Sequence, residues 1–440
     1  MKKNMELLVF STFSASLLFC IVWHVSLIYA LLFGLLEFIL YGRYKGISWK
    51  SLIGLCFHGV AAVKNVIITF LLIGMLTASW RISGTIATIV CLASRFIYPS
   101  VFALAAFLLN SAVSFLTGTS FGTSATMGVV CVTIASSMGI DILPVAGAVL
   151  GGAYFGDRCS PLSSSMQLVS EITRSSVYDN IRNLAKMAAV PYCVSCIIYL
   201  VLGMWTEAPN KSDFDIQSVF AKEFSLHWTT LIPAFLIIVL SLARMRGIHT
   251  IFLSIIAAAL IAFGVQHKSP LEIGYTMLCG YEASNAEVGV MMNGGGIVSM
   301  LNVTAILIIS SSYSDLFRKT GLLSSVETGI RSLADKTTSF FAVLCTSIVT
   351  AMIACNQSFA VILTNQLSSD LIPDSTERAL ALSDSAILIA PMIPWSIACA
   401  VPLRSINASN LSILFAFYLY LVPLWHIYRS IAAQKKNRVV

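Results

Sequence analysis

Apolar stretches long enough to cross a bilayer recur along the whole of this chain. Residues 7–23, 184–205, 226–242, 247–266 and 411–428 are the plainest. As a helix, each can span a hydrocarbon core of about 30 Å. In lipid every backbone donor and acceptor needs a partner inside the protein, so continuous runs of this kind are read as helices. Composition agrees. Of the 440 residues, 57% are hydrophobic and 11% charged, whereas soluble chains average about 25% charged. The expectation is an all-α polytopic membrane protein with about 11–13 hydrophobic segments, some not crossing fully. No soluble domain fits between them. The first run has the apolar character of a signal peptide, but no small-x-small cleavage site follows soon after, so it is read as a retained helix.

Several function classes drop out. The net charge of +7 comes mostly from short loops and tails, which in a membrane chain reports topology and not nucleic-acid binding. Eleven cysteines, nearly all in apolar segments, argue against a disulfide framework. Cys193 and Cys196 are read as two small apolar side chains one turn apart. The six histidines are scattered, and no zinc, Walker-loop or nucleophile–base pattern occurs. An enzyme is not expected, and neither is a cofactor.

Lysine and arginine placement sets orientation. Lys2, Lys3, Arg43, Lys45, Lys50, Arg174, Arg182, Lys186, Arg244, Arg246, Arg429, Lys435, Lys436 and Arg438 are assigned to the cytoplasm. The 206–225 loop, with Glu207, Asp213, Asp215 and Glu223 against Lys211 and Lys222, is assigned outside. Both termini come out cytoplasmic, in a multi-pass protein of the cell (inner) membrane. Lys64, Arg81 and Arg95 are read as snorkelling ends or anchors, and Asp141 as a helix cap.

The chain also runs through one plan twice. An amphipathic stretch at 46 leads into an apolar helix, and broken segments follow at 117 and 160; in the second half the same three features fall at 270, 355 and 390. The first copy starts on the cytoplasmic side and the second outside. This is the pattern of two inverted-topology repeats with broken helices or re-entrant hairpins. The expected divisions are an N-terminal helical hairpin (1–45), a first transport repeat (46–183), connecting transmembrane helices (184–269), a second repeat (270–405), and a C-terminal helix with a basic cytoplasmic tail (406–440).

The breaks carry the chemistry. "SFLTGTSFGTSATMG" mixes Thr117, Thr119 and Ser120 with glycines. Irregular backbone at membrane depth is tolerated only where it is buried or lines a polar cavity, and hydroxyls with freed carbonyls offer hard oxygen ligands for an alkali cation. Close packing through small residues is the alternative. "ACNQSFAVILTNQ" is the counterpart, with Asn356, Gln357 and Ser358, read as a site or as structural hydrogen bonding. Charges at depth cost about 2.5–3.5 kcal/mol on insertion scales, which singles out Asp157, Arg158, Asp384 and Arg404. A carboxyl group in a low-dielectric cavity favours its neutral form, and a bound cation favours the charged one. One aspartate can therefore trade H⁺ for Na⁺. The structural alternatives are an Asp157–Arg158 ion pair and an interfacial cap at Asp384.

"GGAYFGDRCSPLSSS", "SFLTGTSFGTSATMG", "NGGGIVSML" and "SDSAILIAPMIPWS" resemble the motifs of NhaC-type Na⁺/H⁺ antiporters, a family of the ion transporter superfamily. The resemblance covers roughly residues 45 to 425. It implies an inverted-repeat transporter with Na⁺ and H⁺ as coupling ions. It places Thr119, Ser120, Asp157 and Ser160, with Thr117 and Ser163 beside them, at the first repeat's site, and Asn356, Ser358 and Asp384, with Gln357, at the second's. Na⁺ is assigned to Thr119, Ser120, Asp157, Asn356 and Asp384. Three departures stand out: Ser164 where the family has an acid, Ser383 for a glutamate, and Ala386–Ile387 for Gly-Thr. The expected function is Na⁺/H⁺ antiport by alternating access in the lipid bilayer. The alternative is a Na⁺- or H⁺-coupled carrier of an amino acid or small organic acid, with Arg158 or Arg404 as the partner of that organic anion. A homodimer is left open.

Overall fold

The structure is a computed structural model. It describes residues 2–23, 25–93, 98–205, 216–243, 245, 247–320, 330, 333–334 and 336–439. Arg95, Arg244, Arg246 and the 206–215 part of the acidic loop (Glu207, Lys211, Asp213, Asp215) lie outside the described residues. Among those described, the chain is helical throughout, with a single isolated β-bridge between Tyr281 and Gly294. Among the described residues, seven helices are long and apolar enough to cross a membrane, or eight if the pair Ser375–Met392 and Ile397–Ser405, bent by 55°, is one span. Shorter apolar helices such as Ser339–Ala354 pack among them.

Three sequence expectations need adjusting. The run starting at 184 belongs to a longer helix, Val177–Trp205. Its polar first turns keep helical periodicity, and Asp179 sits favourably at the helix N-terminus. The run at 411–428 is not one helix: Asn410–Phe415 is a 3₁₀ turn and the α-helix starts at Phe417. Arg81 does not snorkel. It is only 4% exposed, donates from Nη1 to the Thr77 carbonyl at 3.0 Å, and its Nε has no partner. Its neighbours Ser79, Ser83 and Thr85 are buried too, so this end of the Lys64–Ile82 helix lies inside the bundle. Asp141 caps the next helix, accepting from the Leu143 amide at 3.0 Å.

The two ends of the bundle can be told apart by contacts. Glu6 accepts from Tyr41 and Lys45 (3.0 and 3.3 Å), which ties the start of Lys2–Val22 to the finish of Leu27–Tyr44. The long Gly296–Thr320 helix runs beside Leu27–Tyr44. Tyr313 donates to the Leu31 carbonyl, and Thr320 lies against Gly42. The same helix runs opposite to Trp49–Ala62 and Lys64–Ile82, since Gly59 meets Ser311 and Gly74 meets Gly296. Gln266, just past the Gly247–Gly264 helix, donates to the Ser83 carbonyl at 3.2 Å. Ser83, Gln266 and Gly296 therefore lie toward one end of these helices, and Thr320 and Gly247 toward the other.

Glycine brings two helices into backbone contact at the centre. A Cβ on Gly156 of Ile142–Cys159 would lie 2.2 Å from the Ser114 carbonyl carbon of Phe102–Thr117. Ser114 Oγ uses that closeness to donate to the Ala153 carbonyl at 2.5 Å. This close approach fixes the end of Ile142–Cys159 where Asp157 and Arg158 lie.

Candidate functional site

Two breaks, one in each half of the chain, share a backbone path. Phe102–Thr117 ends at Gly118 in the left-handed region (φ 68°), and Thr119 (φ −141°, ψ 123°) caps the next helical turn. Ser339–Ala354 ends at Cys355, also left-handed (φ 53°), and Asn356 (φ −139°, ψ 129°) caps Gln357–Ser368. In each case the cap side chain accepts from a backbone amide: Thr119 from Gly122 at 3.2 Å, Asn356 from Ser358 at 2.9 Å. A second pair matches as well. Pro161-Leu162-Ser163 leads into Ser164–Thr173, and Pro394-Trp395-Ser396 into Ile397–Ser405, with Ser163 (φ −70°, ψ 130°) and Ser396 (φ −71°, ψ 141°) as caps. Within each half the two breaks touch. A Cβ on Gly118 would lie 2.5 Å from the Leu162 carbonyl carbon, and the Ile397 amide donates to the Cys355 carbonyl at 2.9 Å.

Asp157 sits between the halves. It is 3% exposed. Ser163 donates to its Oδ1 at 2.9 Å, while Ser165 and Gln357 both donate to Oδ2 at 2.9 Å. Gln357 is the first residue after the second break, so the carboxylate is held by both halves. Among the described residues no cationic side chain pairs with it. A buried, hydrogen-bonded charge without a counter-charge still carries a desolvation penalty of several kcal/mol.

The adjacent Arg158 points elsewhere. It is fully buried, and its Nε donates to Asp384 Oδ1 at 2.8 Å, with Nη2 on the same oxygen. Its Nη1 donates to the Tyr418 hydroxyl at 3.0 Å. His426 Nδ1 lies 2.8 Å from the other Asp384 oxygen, and its ring stacks on Phe340 at 3.6 Å between centroids. Asp157 and Arg158 thus form no pair with each other. Asp384 ends Ser375–Asp384 as a buried partner of Arg158 and not at an interface.

The remaining sequence candidates have other partners or none of these contacts. Ser160 caps the end of Ile142–Cys159, is buried, and its Oγ accepts from the Leu162 amide at 3.2 Å. Thr117 and Thr123 pair their hydroxyls at 3.3 Å, and Ser120 is buried beside them. Ser358 is exposed and Asn356 half-buried. Arg404 is exposed at the far end of Ile397–Ser405 from the break. Ser164, where the family pattern has an acid, is exposed, while Ser163 and Ser165 on either side reach Asp157. Sequence reasoning did not select Ser165, Tyr418 or His426. Ser165 lay in the quoted serine run. Tyr418 and His426 carried no local signal, being brought in by the C-terminal helix.

A model of the Na⁺/H⁺ antiporter family matches residues 2–166 and 152–432. Similar proteins include a malate-2H⁺/Na⁺-lactate antiporter of Bacillus subtilis (strain 168), 29% identical over 374 residues, covering 81% of this chain and 78% of that protein. The Na⁺/H⁺ antiporter NhaC of Alkalihalophilus pseudofirmus is 27% identical over 424 residues, covering 92% and 89%. The arginine/ornithine antiporter ArcD of Halobacterium salinarum is 25% identical over 367 residues, covering 80% and 75%.

Proposed function

The chain belongs to the Na⁺/H⁺ antiporter family, as a multi-pass secondary transporter and not an enzyme, and from that premise we propose that Na⁺ and H⁺ exchange at the Asp157 carboxylate. One observation carries this reading. Asp157 is a buried acid that pairs with no cationic side chain among the described residues, and it is held jointly by Ser163, Ser165 and Gln357. Such a charge is neutralised either by a proton or by a bound cation, and the two compete for the same oxygens. That competition is the exchange. Hydroxyls and carbonyls of the breaks, at Thr119, Ser120, Ser160 and Asn356, are the further oxygens that a partly dehydrated Na⁺ takes up.

Asp384 has a different part. Both its oxygens are engaged, one by Arg158 and one by His426. Its charge is already compensated, so it serves as a clamp between the two halves and not as a cation ligand. The duplicated break geometry and the charge distribution support two inverted repeats in a cell membrane, with both termini cytoplasmic. The test is Na⁺-driven proton movement in proteoliposomes. A pH-dye response to Na⁺ alone is expected, and a response only when an organic solute is also present would replace this reading.

That second reading, exchange of an organic anion, has its own support. A relative is named for malate and lactate, and Arg404 lines a cavity together with Pro394 and Trp395. Arg158, committed to Asp384, is not the residue for that role.

A further inference from the structure

Each half of the molecule has its own cavity, and the two end on matching residues. The first, about 290 Å³, is lined by Thr117, Thr119, Thr126 and Leu162 at its inner side and by Met245 and Gly247 at its mouth. Thr126 lies in a π-helical turn, Ser124–Gly128, a distortion found mostly as single turns and frequently at functional sites. The second, about 1120 Å³, is lined by Trp395, Pro394 and Arg404, with Asn410, Leu411 and Leu414. The two lie toward opposite ends of Ile142–Cys159: Gly118 meets Leu162 just past its C-terminal end, whereas Gly147, near its start, meets Ser412 and Phe415.

Leu162 and Trp395 hold the same place in the two Pro-x-Ser turns, each one residue before the serine that caps the following helix. Ser163, next to Leu162, donates to Asp157. The two residues differ in one respect. Leu162 is 38% exposed, facing its cavity, whereas Trp395 is 6% exposed and its Nε1 donates to the Met352 carbonyl at 3.0 Å, across the second break.

We propose that Leu162 and Trp395 are the paired gates of the transport site, one for each face of the membrane, and that this conformation is open at Leu162 and shut at Trp395. The inference rests on the reading of Asp157 as the exchange site. An apolar side chain at the neck of a hydroxyl-lined cavity blocks a hydrated cation unless it swings aside. An indole pinned to a carbonyl does the same more firmly, and its release requires the second break to move. Because the turns are equivalent, exchanging which gate is pinned exchanges which face reaches Asp157.

The experiment labels the L162C variant with a membrane-impermeant cationic thiol reagent, added to one face at a time of oriented vesicles. Site occupancy is read by mass spectrometry, with the parent chain as control for its own cysteines. Labelling from the face on which Met245 and Gly247 lie, and not from the other, is expected. Labelling from the opposite face alone overturns the proposal. Should that variant fail to fold, M245C at the mouth reads the same sidedness. The second arm is W395A, expected to let Na⁺ pass down its gradient without proton counterflow. Fully coupled exchange in W395A also overturns the proposal. Sidedness is measured without reference to transport, so wrong sidedness fails the gates even if Asp157 is the exchange site. Intact exchange in D157N fails the Asp157 reading whatever the sidedness.

Discussion

Arg158 and Asp384, 226 residues apart in the chain, meet as an ion pair in which both side chains are fully buried. A pair of this kind gives little net stability when whole, because desolvation offsets most of the attraction, yet losing one member leaves a bare buried charge at a cost of about 3–5 kcal/mol. Asp384→Leu is therefore expected to lower the thermal midpoint of the detergent-solubilised protein strongly. The double change Arg158→Met with Asp384→Leu should recover much of that loss. Thermal unfolding of the two variants side by side checks this, and equal destabilisation of both contradicts the clamp.

Gln357 is the second half's hand on Asp157. A hydrogen bond to a charged group is worth about 1.5–3 kcal/mol, and losing a donor to the carboxylate favours its protonated form. Gln357→Leu is expected to weaken apparent Na⁺ affinity about tenfold or more. For the same reason its exchange should switch on at a pH about one to two units higher than in the parent. Na⁺ titrations of the pH-dye response at several pH values measure both shifts.

Glycine at 156 is required by packing and not by dihedral angle. Any Cβ there would sit 2.2 Å from backbone of the neighbouring helix. Gly156→Ala should destabilise by at least the 1–3 kcal/mol or so typical of overpacked cores, seen as a lower thermal midpoint. At the breaks the prediction splits. Gly118 is left-handed and also crowded by Leu162, so Gly118→Ala is expected to be severe. Cys355 is a non-glycine residue in the same left-handed region, which costs roughly 1–2 kcal/mol. Cys355→Gly removes that strain along with a small buried side chain, and should leave the midpoint nearly unchanged.

Much of this molecule was legible before any coordinates. Apolar run length gave the helical membrane class, and acids inside greasy stretches drew the eye to Asp157 and Asp384 because lipid makes such charges expensive. The Thr-Gly-Thr-Ser and Cys-Asn-Gln-Ser stretches marked the breaks through residues that interrupt an apolar helix. What stayed hidden was pairing. Arg158 follows Asp157 in sequence, yet successive residues on a helix point in different directions, and its partner comes from a distant segment. The left-handed turn at Cys355 was hidden because cysteine gives no sign of it, as glycine does at 118. Arg81 looked like an end-of-helix anchor, and only its burial, with its guanidinium beside Gly295, shows it to be inside.

The central claim is that one uncompensated buried carboxylate carries the exchange, and Asp157→Asn tests it most directly. The amide keeps the size of the side chain and can still bond to the serines, so the protein should express and fold like the parent. The measurement is Na⁺-driven proton movement in proteoliposomes holding equal amounts of each protein. The account predicts that the response to Na⁺ is abolished in D157N. An undiminished Na⁺-dependent response in that variant would contradict it.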